Sequence, residues 1–160
     1  MIVIESPTNS LIKEIRSVDQ SLLNKVEQIC HQRGVRLTPQ RLHVLELILF
    51  HQGSISAYDL LDKLRETEPK AKPPTIYRAL DFLLAQGFIH RVESTNSFVS
   101  CCVIGENEHC SQLLICDKCG SVEEIHDKEL TQRLAINADK FEFTVKSHVL
   151  ETHGVCEKCQ

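Results

Sequence analysis

The chain has 160 residues, a formal net charge of −4, 42% hydrophobic residues and eight cysteines. That length holds one ordinary domain or two small ones, and no run approaches the ~20 apolar residues that a membrane-spanning helix needs. The N-terminus lacks a basic segment followed by an apolar one, so the cysteines are expected in a reducing, intracellular setting that keeps thiols for metals. Residues 1–85 carry 11 Lys/Arg against 10 Asp/Glu, and residues 86–160 carry 7 against 12. Contact with nucleic acid is therefore expected from the first half, through a local patch.

Residues 1–18 read as a loose tail or an extra helix. Leu22, Val26, Ile29 and Cys30 then recur at helical spacing, and Gly34 supplies a stop. A second helix is predicted from Thr38-Pro39, with Leu42, Leu45 and Leu49 as its buried stripe. A third starts at Ser56, has Asp59 placed as in a capping box and buries Leu60, Leu61 and Leu64. After a polar connector, a fourth starts at Pro74 or Thr75, buries Ile76, Leu80, Leu83 and Leu84, and stops at Gly87. Beyond Gly87 the period changes to two. Residues 88–94 and 97–103 read as strands of a hairpin turning at Thr95-Asn96, because Asn tolerates the positive φ of a tight turn.

Helices followed by a hairpin make a winged helix-turn-helix over residues 19–103, with residues 88–103 as the wing. A helical bundle with an added hairpin shares the pattern, but the outer face of the fourth helix favours DNA. Thr75, Tyr77, Arg78 and Asp81 lie toward solvent near its N-terminus, where a recognition helix meets bases and phosphates. Lys70, Lys72, Arg36 and Arg41 are candidates for backbone contacts. In a hairpin turning at Thr95-Asn96, partners sum to 191, which places His90 opposite Cys101 as a half-site for zinc and Cys102 on the other face. The plainer alternative leaves His90 as decoration at the end of the wing.

Two Cys-x-x-Cys pairs, Cys116/Cys119 and Cys156/Cys159, lie 36 residues apart (156 − 119 − 1). Each pair can grip one ion from a tight turn, and together they make a tetrahedral four-thiolate site for structural zinc. Two disulfides or a thioredoxin-like dithiol are the other readings.

The runs Arg36-Leu37-Thr38-Pro39-Gln40-Arg41 and Pro74-Thr75-Ile76-Tyr77-Arg78-Ala79-Leu80, followed by the paired Cys motifs, closely resemble the ferric uptake regulator family over about residues 20 to 159. Within it, Ser56-Ala57-Tyr58-Asp59-Leu60-Leu61, Lys72-Pro73-Pro74 and residues 92–97 are similar to the family's zinc uptake regulators. The resemblance implies an α+β protein, with a winged helix-turn-helix domain ahead of an α/β dimerisation domain over residues 104–160. It further implies a bacterial, cytoplasmic, nucleoid-associated repressor of zinc-uptake genes. That repressor is a homodimer on palindromic A/T-rich operators, with room for two dimers per operator and no membrane partner. On DNA the family uses the tyrosine and arginine of the recognition helix, here Tyr77 and Arg78, and Thr75, Tyr58, Arg36, Arg41 and Lys72 complete the expected DNA-contacting set.

By the same resemblance, His109 and Glu124 join His90 and Cys101 as regulatory ligands, for two Zn2+ per chain, one structural and one regulatory. Glu123, His126 and Cys110 compete for these places, and alternation does not separate Glu123 from Glu124. Relatives that sense iron or peroxide carry a histidine-rich run before the first Cys pair, which Glu108-His109-Cys110-Ser111-Gln112-Leu113 lacks. Sensing of iron, manganese or peroxide is the runner-up. His148 could serve a third metal site, but its expected companions near Cys110 and Gln112 are not His or Asp. A full His/Cys/His/Glu set leaves no open coordination position, and no catalytic motif is present, so an enzyme is not expected. A zinc-dependent thiol oxidoreductase is the alternative from another class.

Overall fold

The structure, a computed structural model, describes residues 21–51, 53–105, 111–145 and 149–160. It divides into two compact units between Thr38 and Pro39. The first contains helix α1, residues 21–32, whose buried stripe is Leu23, Val26 and Cys30, with Leu22 and Ile29 only half-buried. The helix stops as expected: Gly34 takes a φ of +64°, and the Val35 N–H closes back on the Cys30 carbonyl at 3.0 Å.

The second unit begins with α2 (Pro39–Leu49), β1 (Ile55–Ser56), α3 (Ala57–Thr67) and α4 (Pro73–Ala85). The stripe of α2 is Val44, Leu45 and Ile48; Leu42 and Leu49, expected inside, are half-buried at its flanks. Leu60, Leu61 and Leu64 of α3 are buried as anticipated, and Ser56 caps that helix by accepting from the Asp59 N–H at 3.1 Å. In α4 the buried residues are Ile76, Ala79, Leu80 and Leu83, with Leu84 half-buried. The chain leaves α4 through Gly87, at a φ of +70°.

The hairpin is β2 (Ile89–Val92) and β3 (Ser97–Ser100), shorter than the alternation suggested. With β1 it forms a sheet of order β1-β3-β2, the wing of a winged helix. Strand β1 has too few residues to alternate, and the sequence pattern missed it. The wing register also differs from expectation. Val92 pairs with Ser97 and His90 with Val99, so partners sum to 189 rather than 191. The cause is the turn, which occupies residues 93–96; the Asn96 N–H bonds the Glu93 carbonyl at 3.3 Å, and Asn96 has a φ of +49°. A slip of two keeps every side chain on its face. Cys101 thus sits diagonally from His90, on the same side.

A second sheet has the order β5-β4-β6, with β4 (Ser111–Cys116) central, β5 (Val122–Ile125) antiparallel to it and β6 (Val149–Gly154) parallel. Helix α5 (Lys128–Asp139) makes the crossover, capped by the Asp127 carboxylate, which accepts from the Glu129 and Leu130 N–H groups at 2.8 and 3.1 Å. Val92 and Val99 of the wing pack with Leu113 and Ile115 of β4, and Val122 adds to this cluster. That apolar seam sets the wing against the second sheet, and the candidate regulatory site lies beside it. Among the described residues no helix is long and apolar enough to cross a membrane.

Candidate metal centres and nucleic-acid interface

Strand β4 ends at Cys116, and a tight turn returns Cys119 beneath it: the Gly120 N–H bonds the Cys116 carbonyl at 2.9 Å. Cys156 follows β6, and Cys159 closes a 3₁₀ turn over Glu157–Cys159. The parallel pairing of β4 and β6 brings the two Cys pairs together, and all four sulfurs lie within 4.8 Å of one another. Four sulfurs each ~2.3 Å from a shared zinc stand about 3.8 Å apart. The separation of Cys119 and Cys156, 3.7 Å, matches that geometry. The Cys156 N–H points at the Cys116 sulfur from 3.4 Å; this bond, followed by those from the Cys119 and Lys118 N–H groups, outweighs burial and lowers the Cys116 thiol to about 6. Cys159, crowded by Cys156 and Cys119, is pushed up to about 12. A divalent ion held among the sulfurs would favour their ionised form.

The second cluster spans the wing and the second sheet. His90 Nε2 lies 3.0 Å from Glu124 Oε1, and the donor atoms of His90, Cys101 and Glu124 fall within 4.8 Å of one another. The Cys102 N–H donates to the other Glu124 oxygen at 2.6 Å, and the Ser111 hydroxyl is 2.9 Å from the His90 ring. Burial alone would raise the Glu124 carboxyl, but the bonds from His90 and Cys102 outweigh it and hold it below the usual carboxylate range. Register separates the two glutamates. Glu124 pairs with buried Leu113 and faces the wing, whereas Glu123 pairs with exposed Leu114 and faces away. The mixed N, S and O donors suit tetrahedral zinc. His109, Cys110 and His148 lie outside the described residues.

On α4, Tyr77 and Arg78 are exposed and Thr75 is half-buried. Tyr58 on α3 is 73% exposed, and Lys72 is exposed just ahead of α4. Arg41 is half-buried, its guanidinium 3.9 Å from the centroid of Phe82, and Arg36 is exposed in the first unit. The expectation that the α4 N-terminus itself cradles phosphate is weakened. Pro73 and Pro74 carry no N–H, and the Thr75 N–H already bonds the Lys72 carbonyl at 2.8 Å. The side chains are left as the candidates for anion contact here.

A model of the Ferric uptake regulator family matches residues 32–153. The chain belongs to that family. It is 53% identical over 144 residues to the zinc uptake regulation protein of Escherichia coli, covering 90% of this chain and 84% of that one. Its fold matches the structure of a zinc uptake regulator complexed with zinc and DNA, with a TM-score of 0.83, 54% identity and coverage of 88% and 93%. Against the crystal structure of holo XcZur the TM-score is 0.79, at 44% identity and coverage of 87% and 96%.

In this member of the ferric uptake regulator family the sequence pattern missed three contributors. The Ser111 hydroxyl and the Cys102 N–H orient the ring of His90 and the carboxylate of Glu124, and Glu151 bonds the turn of the wing. None belongs to a motif, and only the packing of the wing against the second sheet reveals them. On α4 the exposure of Arg78 supports a direct prediction. Arg78→Ala should weaken operator binding by about 1–3 kcal/mol and relax base preference at one position per half-site. Affinities of wild type and variant for an operator and its single-base variants check this.

Proposed function

We propose that this family member is a zinc-responsive transcriptional repressor: a homodimer that, loaded with two zinc ions per chain, binds palindromic A/T-rich operators and silences zinc-uptake genes. The observation that carries the reading is the convergence of His90 and Cys101 from the wing with Glu124 from the second sheet. Identity above 50% to a zinc uptake regulation protein supports it. His90, Cys101 and Glu124 would hold the ion, with His109 as fourth donor by likeness to the zinc uptake regulators, and the ion would supply the positive charge that binds imidazole, thiolate and carboxylate together. The chain's own residues prepare that site. Glu124 stays ionised through the neutral range, oriented by the Cys102 N–H, and Cys101 is buried away from competing solvent. When these groups are held together, the recognition helix takes one fixed orientation relative to the second sheet.

Dimerisation is supported by apolar surface that a lone chain leaves bare. No residue of α5 is buried, and Phe141, Phe143 and Ile136 are 83%, 65% and 50% exposed. An amphipathic helix in water needs a partner for that face, and a second copy provides it. Two α4 helices fixed about one DNA turn apart then match a palindrome, and two such dimers can share one operator. Tyr77, Arg78, Thr75, Tyr58, Arg41 and Lys72 of the second unit are the DNA-facing residues, Arg36 of the first unit is a further candidate for DNA contact, and the protein acts in the cytoplasm at the nucleoid. Its relatives are transcription regulators rather than enzymes.

The test is operator binding with free zinc buffered over a wide range, and with Fe(II) and Mn(II) in parallel, starting from protein that holds only its tight zinc. Binding that switches on with zinc alone, above about one zinc per chain, is the expected result. Binding that follows Fe(II) or ignores metal overturns the reading.

A further inference from the structure

The wing turn is held from outside the wing. Glu151, on β6, accepts the Glu93 N–H at 2.5 Å on one oxygen and the Ser94 N–H at 3.2 Å on the other. Its side chain is 15% exposed. Burial would raise the carboxyl, but these bonds and nearby His153 hold it below the usual range, so it is an anion at neutral pH. The turn is braced to receive it. Arg91 donates to Asn96 Oδ1 at 2.8 Å and pairs with the Glu93 carboxylate at 3.4 Å, which keeps that side chain off the two N–H groups. Two adjacent N–H groups facing one carboxylate form an anion nest. Here both groups are taken up by Glu151.

We infer that Glu151 is a positioning residue for the regulatory site, docking the wing turn on β6 so that the strands bearing His90 and Cys101 stand where Glu124 completes the donor set. The inference rests on the sensor reading above. The hairpin is a stiff element with two polar anchors. Glu151 holds its turn, and Glu124 holds its base through His90 and the Cys102 N–H. The apolar seam of Val92, Val99, Leu113 and Ile115 lies with them. One anchor lets a rod swing; two fix its direction. A contact present only when the wing is docked raises the population able to take the regulatory ion, and the apparent affinity rises by that same factor.

The experiment uses full-length wild type, Glu151→Gln and Glu151→Ala, each loaded only with its tightly held zinc. Regulatory zinc affinity is read by competition with a chromophoric chelator, operator affinity at saturating zinc by titration, and amide exchange at Glu93 and Ser94 in wild type with and without saturating zinc. Both variants should keep the tight zinc and the dimer, and require ~tenfold more free zinc for half-occupancy, while operator affinity at saturating zinc stays within about twofold of wild type. The wild-type Glu93 and Ser94 amides should be protected at saturating zinc. An unshifted zinc midpoint overturns the inference, even where stability or operator affinity falls, since that pattern marks a mere brace. Freely exchanging Glu93 and Ser94 amides in zinc-saturated wild type overturn it without reference to any variant. A wild type whose operator binding ignores zinc brings down the sensor reading itself, and this inference with it.

Discussion

Cys156→Ser should cost the protein its tightly held zinc and the folded second sheet together. Strand β6 joins that sheet only through β4, and the four sulfurs clamp the ends of these two strands. No residue of helix α5 is fully buried in the single chain, so the helix adds little to hold the sheet. A structural zinc site contributes a free energy comparable with the whole stability of a small domain, so its removal is not a local event. Serine neither ionises near neutrality nor binds zinc as a thiolate does, so three ligands remain. The variant should bind about one zinc fewer per chain, lose β signal in circular dichroism and no longer run as a dimer. A chelator strong enough to strip the tight zinc from wild type should give the same product. A folded dimer without that zinc would show that the four-cysteine cluster is not structural.

Cys101→Ser should do the opposite. Cys101 is 3% exposed beside His90 and Glu124, and serine fills nearly the same volume, so the fold and the tight zinc should survive. On the proposed reading, what goes is the soft donor to the regulatory ion. Operator affinity at a free-zinc level that saturates wild type should fall by roughly 100-fold, because the binding-competent population falls with the lost zinc affinity. Zinc per chain, circular dichroism and operator titration on one preparation separate the outcomes. A variant that unfolds would merge the two metal roles, and one with an unchanged zinc midpoint would remove Cys101 from the sensor.

The sequence was most legible where one period governs a whole element. The α3 stripe of Leu60, Leu61 and Leu64, with its Ser56 cap, came out as read, because cap and periodicity agree. In α2 apolar residues crowd most of the surface, so Leu42 and Leu49 could not be told from Val44 and Ile48 by spacing. The wing register was missed by two because Asn96 alone does not reveal whether a turn has two residues or four. His90 and Cys101 stayed on one face despite that error, since parity depends only on odd or even displacement. Glu123 and Glu124 stayed unresolved until the β4–β5 register was known. The roles of Ser111, Cys102 and Glu151 arise between two sheets far apart in sequence, and no local pattern carries that information.

Pro73 and Pro74 have a further consequence at the tip of α4. A helix end normally frays, and fraying blurs whatever side chains it presents. Two rings with fixed φ remove backbone states from this end before any partner arrives, so little order remains to be imposed on contact. Thr75, Tyr77 and Arg78 follow directly and inherit that stiffness. A stiff probe loses less entropy on docking and tolerates a misplaced base less well than a pliable one. On the proposed reading, the proline pair favours discrimination over adaptability at the bases these side chains meet.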